Sequence, residues 1–375
     1  MPIARFRTRP PEKQDAIVAH LRQLIVNGDL HPGDRLPPRT VLEARFDAST
    51  VTVQRAFGRL VQDGFVRVAG RSGTFVSERP PHTHRYVLAF SHRMGDPGWV
   101  RFWTVLANVA QGYGTEQPFS LSIRQGVEPW RNDPDYQGLL DDIEANRLAG
   151  IIFATDPWPL KGTPILEAPG LPRVAFTGVP GETNVAGVSL GGDRARLFFE
   201  KALEHLVSRG RKRLALLTVP GISGERLASY RNGLAARGLA YHAHWVQTAS
   251  QADPQWATNL VLLMFRGSRE ERPDALVVAD DNLVEHACAG LLQLGLRVPD
   301  DVDVVAHCNF PAQAPAIVPV IRLGYDIPRV LEKCVALLDQ QRRQETVPPV
   351  TVIPPLFEWE TAGAAGPTFL SDPRR

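Results

Sequence analysis

The sequence predicts an α/β chain in two parts: an N-terminal winged helix-turn-helix, then a two-lobed body of doubly wound parallel sheets. Three observations predict it. Residues 36–76 read LPPRTVLEARFDASTVTVQRAFGRLVQDGFVRVAGRSGTFV: a short amphipathic helix, a turn, a second helix, and a hairpin bent at Gly70 to Gly73. From Tyr86 onward, short apolar β-rich runs alternate with amphipathic helices, the pattern of parallel sheets covered on both faces. The charge is also uneven. Residues 1–86 hold 14 Lys/Arg against 8 Asp/Glu, whereas the remainder holds 28 against 32. A small basic head on a mildly acidic body suits nucleic-acid binding by the head.

In the head, residues 13–26 predict a helix with Ile17, Val18, Leu21, Leu24 and Ile25 on one stripe. Asn27-Gly28 ends it and Pro32-Gly33 turns the chain. The next helix carries Val41, Leu42 and Phe46 as its apolar residues. After Asp47-Ala48-Ser49, a third helix repeats Val53, Ala56, Phe57, Leu60 and Val61 at helical spacing, which defines a buried face. Its remaining positions, Thr50, Thr52, Gln54, Arg55 and Arg59, are polar or basic, and Ser49 stands where an N-cap belongs. A helix of this length fits the major groove, where Gln, Arg and Thr read base edges and a helix N-terminus approaches phosphate. The same pattern also describes a protein-interaction module with a solvated polar face. The basic excess of this segment favours DNA.

These residues resemble the winged-helix DNA-binding domain of GntR-type bacterial transcription regulators. That family's pattern of glycines, prolines and apolar positions is met by Gly28-Asp29-Leu30, Pro32-Gly33, Leu36-Pro37, Ser49, Thr52-Val53, Ala56, Leu60 and Gly64. The wing follows as Gly70-Arg71-Ser72-Gly73-Thr74-Phe75-Val76, with its first glycine displaced by one position and Arg71 in its place. The match spans roughly residues 10–78. Thr40, Thr50 and Gln54 stand where the family often has arginines, and Arg39 and Arg55 lie one position away. The resemblance implies DNA contacts from Arg39, Thr40, Ser49, Thr50, Thr52, Gln54, Arg55, Arg71, Ser72 and Gly73, without fixing the operator sequence.

A length of 375 residues predicts two or three domains, and 43% hydrophobic with 22% charged residues is ordinary for a soluble protein. The expected division is a head over 1–78, a linker over 79–85 and a sensor over 86–375. Three cysteines (Cys288, Cys308 and Cys334) form no CxxC and no even disulfide set, so a cytoplasmic location is expected. Neither a signal peptide nor a membrane span is expected. The stretch Ser77 to Arg85 is polar and contains prolines, and its histidines His82 and His84 read as solvated linker residues rather than metal ligands. Gly191-Gly192-Asp193 opens a helix but lacks the P-loop lysine and the dinucleotide fingerprint, so helix capping is expected there. No catalytic motif, metal set or cofactor lysine context is present, and no cofactor is expected.

In the body the predicted strands are 86–90, 119–123, 150–154, 173–176, 187–190, 213–217, 274–278 and 302–306. The helices between and after them are 99–113, 136–147, 193–209, 224–238, 253–265, 282–294 and 327–342. The repeat restarts near Asp193, which implies two lobes with a cleft lined by the C-terminal ends of the strands. This part resembles the sensor domain of LacI-type repressors, itself similar to periplasmic-binding proteins, over roughly 86–363. The resemblance rests on PDALVVADDN at Pro273 to Asn282, on GLRVPDDVDVVA at Gly295 to Ala306, and on Arg226 preceding Ser229-Tyr230. It implies ligand contacts from Arg226 and Asp281. Cys308 occupies the place of a family carboxylate, and Asn309 beside it keeps a polar group there.

The residues support the same set on their own. Arg226, Asp281 and Asn309 fall at strand ends or helix starts, and a guanidinium fork beside a carboxylate and a carboxamide suits the paired hydroxyls of a sugar. Trp158, after a first-lobe strand, reads as a stacking platform or as loop packing. Ser91, His92 and Arg93, after the first body strand, are further candidates. Arg226 and Asp281 paired with each other, or capping helices, is the plainer reading. The expected function is a ligand-responsive transcription repressor that binds a palindromic operator in double-stranded DNA as a homodimer. Its effector would be a small molecule, a sugar by preference. The alternative is an enzyme with a two-lobed catalytic domain targeted by a DNA-binding head.

Overall fold

The computed structural model describes residues 13–113, 117–131, 133–177, 183–191, 196–220 and 224–361, with the side chains of residues 71 and 225 left aside. In the head, α1 (Lys13–Val26), α2 (Arg39–Phe46) and α3 (Thr50–Gln62) precede a hairpin of β1 (Val66–Val68) and β2 (Thr74–Val76). Ile17, Leu21, Leu42, Val53, Ala56, Phe57, Leu60, Phe65 and Val76 close one small core. Apart from Ala56, each such side chain contributes about 1.5–3 kcal/mol when fully buried. The hairpin is antiparallel with Val66 opposite Val76, and Gly70 and Gly73 take positive φ (52° and 118°) at its bend. Only glycine adopts such angles without strain.

Val61, assigned to the buried face of α3, and Val41, an apolar residue of α2, lie outside. Val61 is 39% exposed and Val41 52% exposed. The head is a single thin layer, so each helix buries a narrow stripe, and residues at the stripe's edge stay wet. Arg22, on the apolar side of α1, is buried instead, because Asp63 receives its guanidinium at 2.6 Å.

The stretch 77–84 is only partly solvated: Glu78 and Arg79 are exposed, and the rest is buried or half-buried. Pro80 and Pro81 are buried, Pro81–Thr83 forms a 3-10 turn, and the His82 ring stacks on Phe65 at 5.9 Å. Burial pushes the His82 imidazole down to about 4, and Arg342 and His84 add to the shift. The histidine is therefore neutral.

The body begins with β3 (Arg85–Ala89), α4 (Arg101–Gly112), β4 (Ser120–Arg124), α5 (Pro134–Glu144), β5 (Gly150–Phe153), α6 (Pro164–Glu167), β6 (Arg173–Phe176) and β7 (Ala186–Leu190). It continues with α7 (Arg196–Ser208), β8 (Leu214–Thr218), α8 (Gly224–Ala235), β9 (Val246–Thr248), α9 (Trp256–Met264), β10 (Ala275–Val278), α10 (Val284–Gln293), β11 (Asp303–Phe310) and β12 (Ile321–Asp326). It ends with α11 (Ile327–Arg342), β13 (Val350–Ile353) and β14 (Leu356–Phe357). Two six-stranded sheets result, ordered β13-β7-β6-β5-β3-β4 and β14-β12-β11-β10-β8-β9. Their pairings are parallel except β12 with β14. Each sheet has an apolar cluster on both faces. The start of the helix expected at Asp193 lies outside the described residues, as do Gly192 and Asp193 themselves.

The chain does not finish the first lobe before starting the second. Helix α11 leaves a second-lobe strand, yet Ile327, Val330, Leu331, Val335 and Leu338 pack with Tyr86, Leu88 and Ile152 of the first sheet. Strand β13 then joins the edge of that sheet, and β14 returns to the other. Strands β9, β12, β13 and β14 were not expected. Pro311, Pro315 and Pro319 before β12, and Pro348-Pro349 before β13, make those regions read as loop.

Gly324 marks the tightest strand contact. A Cβ there falls 1.6 Å from the Cys308 carbonyl oxygen, whereas one at Gly58, in α3, meets nothing within 4 Å. Gly324→Ala is therefore expected to destabilise by about 3 kcal/mol or more, and Gly58→Ala to stabilise by about 0.5–1 kcal/mol. Urea denaturation of the two variants checks both signs.

Candidate functional site

Two places carry convergent polar groups. The first is the outer face of α3. Ser49 holds an extended backbone (φ −73°, ψ 156°), and its hydroxyl accepts from the Thr52 N–H at 3.2 Å, so α3 starts where the sequence placed it. Ser49 and Thr52 also bond through their hydroxyls at 2.9 Å, which commits both to the cap. Thr50, Gln54 and Arg55 are exposed, as are Arg39 and Thr40 on the first turn of α2. The Arg39 guanidinium lies over Phe57, 5.7 Å from the ring centre. Ser72 is exposed at the hairpin tip beside Gly73, and the Arg71 side chain lies outside the described residues. Val51 is an exposed apolar residue on the same surface (59%) that the polar-face reading passed over.

The second place is the cleft and the first-lobe surface beside it, where two cavities lie. One, of about 310 Å³, is lined by Arg226, Asp280, Asp281, Asn282, His307, Asn309 and Gln251 from the second lobe, with Phe198 and Tyr325. Val100, Phe102 and Leu190 close it from the first lobe. Arg226, Asp281 and Asn309 are thus brought together. The cavity sits at the C-terminal ends of β10 and β11, where an open parallel sheet leaves its crevice. On β11, His307 and Asn309 face it. Cys308 between them does not line it, so the family carboxylate position replaced by cysteine is outside the cavity wall, and burial pushes that thiol up to about 12.

The hydrogen bonds divide the work of the acidic pair. Asp280 accepts from the Asn282 backbone (3.0 Å) and side chain (2.7 Å) and from Gln251 (2.8 Å), so it shapes the turn. Asp281 is buried and accepts from Asn309 Nδ2 at 2.8 Å, with Arg101 Nε 3.9 Å away. Burial raises the Asp281 carboxyl above its ordinary value, Asp280 raises it further, and His307, Asn309 and Arg101 pull it down. Arg226 is lowered by burial, against Tyr325 and Asp280. Among the described residues, Asn309 Oδ1 and His307 Nδ1 are buried without a hydrogen-bond partner. Buried polar atoms normally find partners: Asn309 Oδ1 can accept from a hydroxyl, and His307 Nδ1 can accept or donate according to its tautomer.

The other cavity, of about 260 Å³, belongs to the first lobe. Ser91, His92, Glu128, Thr155, Asp156 and Trp158 line it with Phe90 and Trp103. Ser91 bonds to His92 at 2.9 Å, and Trp158 stands 65% exposed at the cavity. Arg93 reaches neither cavity. Its guanidinium forks the Asp133 carboxylate at 2.6 and 2.5 Å and thereby holds the N-cap of α5. The first turn of α4 separates the cavities, with Val100 and Phe102 on one side and Trp103 on the other. That turn also bridges the lobes. The Arg101 N–H donates to Asn282 Oδ1 (3.2 Å), and its guanidinium donates to the Gln313 carbonyl (3.0 Å).

Sequence reasoning missed Arg101, Phe102, Phe198, Gln251, His307 and Tyr325. Phe102 and Phe198 are apolar residues of helices, which carry no local signal of a site, and Tyr325 lies on a strand preceded by prolines. Among the described residues no helix is long and apolar enough to cross a membrane, and no group of three or more His, Cys, Asp or Glu is placed to hold a metal.

Comparison with known proteins bears on both places. The model of bacterial regulatory proteins of the gntR family matches residues 13–76, and that of the periplasmic binding protein-like domain matches residues 203–360. The arabinose metabolism transcriptional repressor of Geobacillus stearothermophilus is 22% identical over 316 residues, 76% of this chain and 79% of the relative. The regulator TauR of Rhodobacter capsulatus is 35% identical over 79 residues, which cover 20% of this chain and 16% of TauR's own length. A LacI-family regulatory protein from Chloroflexus aggregans superposes with a TM-score of 0.55 at 17% identity, over 73% of this chain and 96% of that one. A LacI-family regulator from Lactobacillus casei with bound sucrose gives 0.52 at 17% identity, over 74% and 98%. At such identities the structural likeness shows the fold. Residues 13–76 thus match the gntR family's winged-helix head, and residues 203–360 match a periplasmic binding protein-like domain, the fold that the solved LacI-family regulators share with this body.

Proposed function

We propose that this protein is a ligand-responsive repressor of transcription. Residues 1–78 bind a palindromic operator in double-stranded DNA, 79–85 connect, and 86–375 sense a small molecule in the interlobe cleft. The observation that carries the reading is the joining, in one chain, of an exposed Gln54-Arg55 helix face to a cavity whose buried Asn309 and His307 atoms lack partners. One short helix reads too few base pairs for useful specificity, so the operator-binding unit is a homodimer. Trp256, Leu263 and Leu292 on α9 and α10 are exposed apolar residues of the kind that such pairing would cover.

The effector is a sugar. A carboxylate, a carboxamide and a guanidinium around aromatic walls suit a ring with several hydroxyls, and a cavity of about 310 Å³ is of a size for one or two rings. Names of relatives point the same way: one is an arabinose repressor, and a LacI-family neighbour holds sucrose. Trp158 and Ser91 contribute from the first lobe. Ligand acts by its different affinity for two arrangements of the lobes.

Three outcomes are expected. In a mobility-shift assay on DNA from upstream of the protein's own gene, Gln54→Ala combined with Arg55→Ala weakens binding at least about tenfold, since each base contact is worth ~1–3 kcal/mol. Undiminished binding by that double variant removes α3 from the interface. A thermal-shift screen of aldopentoses, hexoses and disaccharides gives a hit whose stabilisation disappears in Arg226→Ala. The third outcome concerns pH. The Asp281 carboxyl titrates higher folded than unfolded, so its contribution to stability falls as pH rises from the ordinary carboxylate value through the raised folded value, and stays low above it. Asp281→Asn lacks this fall. Its melting temperature should exceed the parent's at pH 7, and the difference should shrink towards pH 4, while the sugar-induced shift is lost. A variant less stable than the parent at pH 7 contradicts the sign.

A further inference from the structure

The seam between the head and the first lobe is built around one carboxylate. Asp63, at the C-terminal end of α3, accepts from Arg22 Nη2 at 2.6 Å and from Arg147 Nη1 at 3.0 Å, with Arg59 Nε at 3.5 Å. Arg22 and Arg59 belong to the head, whereas Arg147 follows α5 in the first lobe. Arg147 also donates through Nε to Asp142 at 2.8 Å, and Asp142 accepts from Arg124 at 2.9 Å. Beside this line of charges lie the buried Pro80 and Pro81 and the His82–Phe65 stack. The guanidinium of Arg79 also donates to the carbonyl of Pro118, a first-lobe residue.

The arrangement of partners is unusual for a buried ion pair. Breaking such a pair ordinarily strands a charge away from water and is strongly unfavourable. Here Asp63 keeps Arg22 if the seam opens, and Arg147 leaves with Asp142, which keeps Arg124 as well. No carboxylate is left bare on either side. The line also has an inner end. Arg124 closes β4, and the Asp135 carboxylate, 3.8 Å from its guanidinium, accepts the Gln125 N–H at 2.8 Å. Val127 and Glu128, just beyond, line the first-lobe cavity. A row of charges thus runs from Asp135 to the end of α3, and Arg124, near its inner end, lies three residues along the chain from Val127 in the cavity wall.

We propose that Asp63 and Arg147 form a docking joint that holds the recognition helix in register with the first lobe, and that opens without stranding a buried charge. It goes beyond the regulator reading by naming how the head is held. Movement of the first lobe at its cavity is carried to α3 while the joint is closed and is lost when it opens. Coupling of this kind needs an element with two discrete arrangements, and the shared partners provide both.

The test uses the full chain without DNA or effector. Arg147→Ala removes only the crossing member, leaving the Asp63–Arg22 and Asp142–Arg124 pairs to keep each part folded. Amide hydrogen exchange should rise about tenfold or more over residues 79–84 and 63–66, with α1 and β3 changed less than about twofold. Spin labels introduced by Ser72→Cys and Glu144→Cys, both exposed positions in a chain whose own three cysteines are buried, should report one narrow distance in the parent. Arg147→Ala should broaden it, and Arg147→Lys should restore part of the narrow population. An unchanged distance in Arg147→Ala overturns the joint. So does exchange that rises equally throughout α1, which would mean the head had unfolded instead of undocking. Neither readout involves DNA or sugar, so failure here leaves the regulator reading standing, and failure of DNA or sugar binding leaves the joint standing.

Discussion

The body depends on helix α11 more than on any other single element. It leaves the second sheet at Asp326, whose side chain caps it, and buries its apolar stripe against the first sheet. Together with β13, which pairs with β7, it makes the end of the chain a structural part of the lobe where the body began. Neither lobe is complete without segments that pass through the other. The two sheets are thereby kept side by side with their strand ends facing, which is what leaves a polar crevice between them. A crevice of this origin has a rigid floor on each side and freedom only in the approach of one floor to the other.

The polar floor has a cost in stability. Asp281 is buried with one carboxamide donor at hydrogen-bond distance and a guanidinium at 3.9 Å, and its carboxyl is raised accordingly. Asn309 and His307 each bury an unpartnered atom. Apolar residues at these places would pack more favourably. Their persistence at strand ends marks a surface shaped for something other than folding, and it is balanced by the apolar layers on both faces of the same sheet.

Much of this was legible in the sequence. The head could be read because several independent signals agree over a short span: Ser49 as a cap, Gly70 and Gly73 at the hairpin bend, and apolar residues at helical spacing. The convergence of Arg226, Asp281 and Asn309 followed from their positions at strand ends or helix starts, since parallel sheets place both on one side. Features set by tertiary contact could not be read. Residues 327–342 were recognised as a helix, but nothing local says on which lobe it packs. Arg93 looks like a cleft residue by position, yet the nearby Asp133 takes its guanidinium. Arg22 and Arg147 look like ordinary surface arginines until the fold brings Asp63 between them. His82 has the neighbours of a linker residue and the environment of a core one.

The first turn of α4 has one further consequence. Val100 and Phe102 face one cavity, Trp103 faces the other, and Arg101 between them grips the second lobe. The two chambers therefore share a wall, and that wall is also a strut. A molecule seated in either chamber, or one long enough to enter both, loads the same four residues. Whatever occupies one chamber therefore bears on the wall of the other.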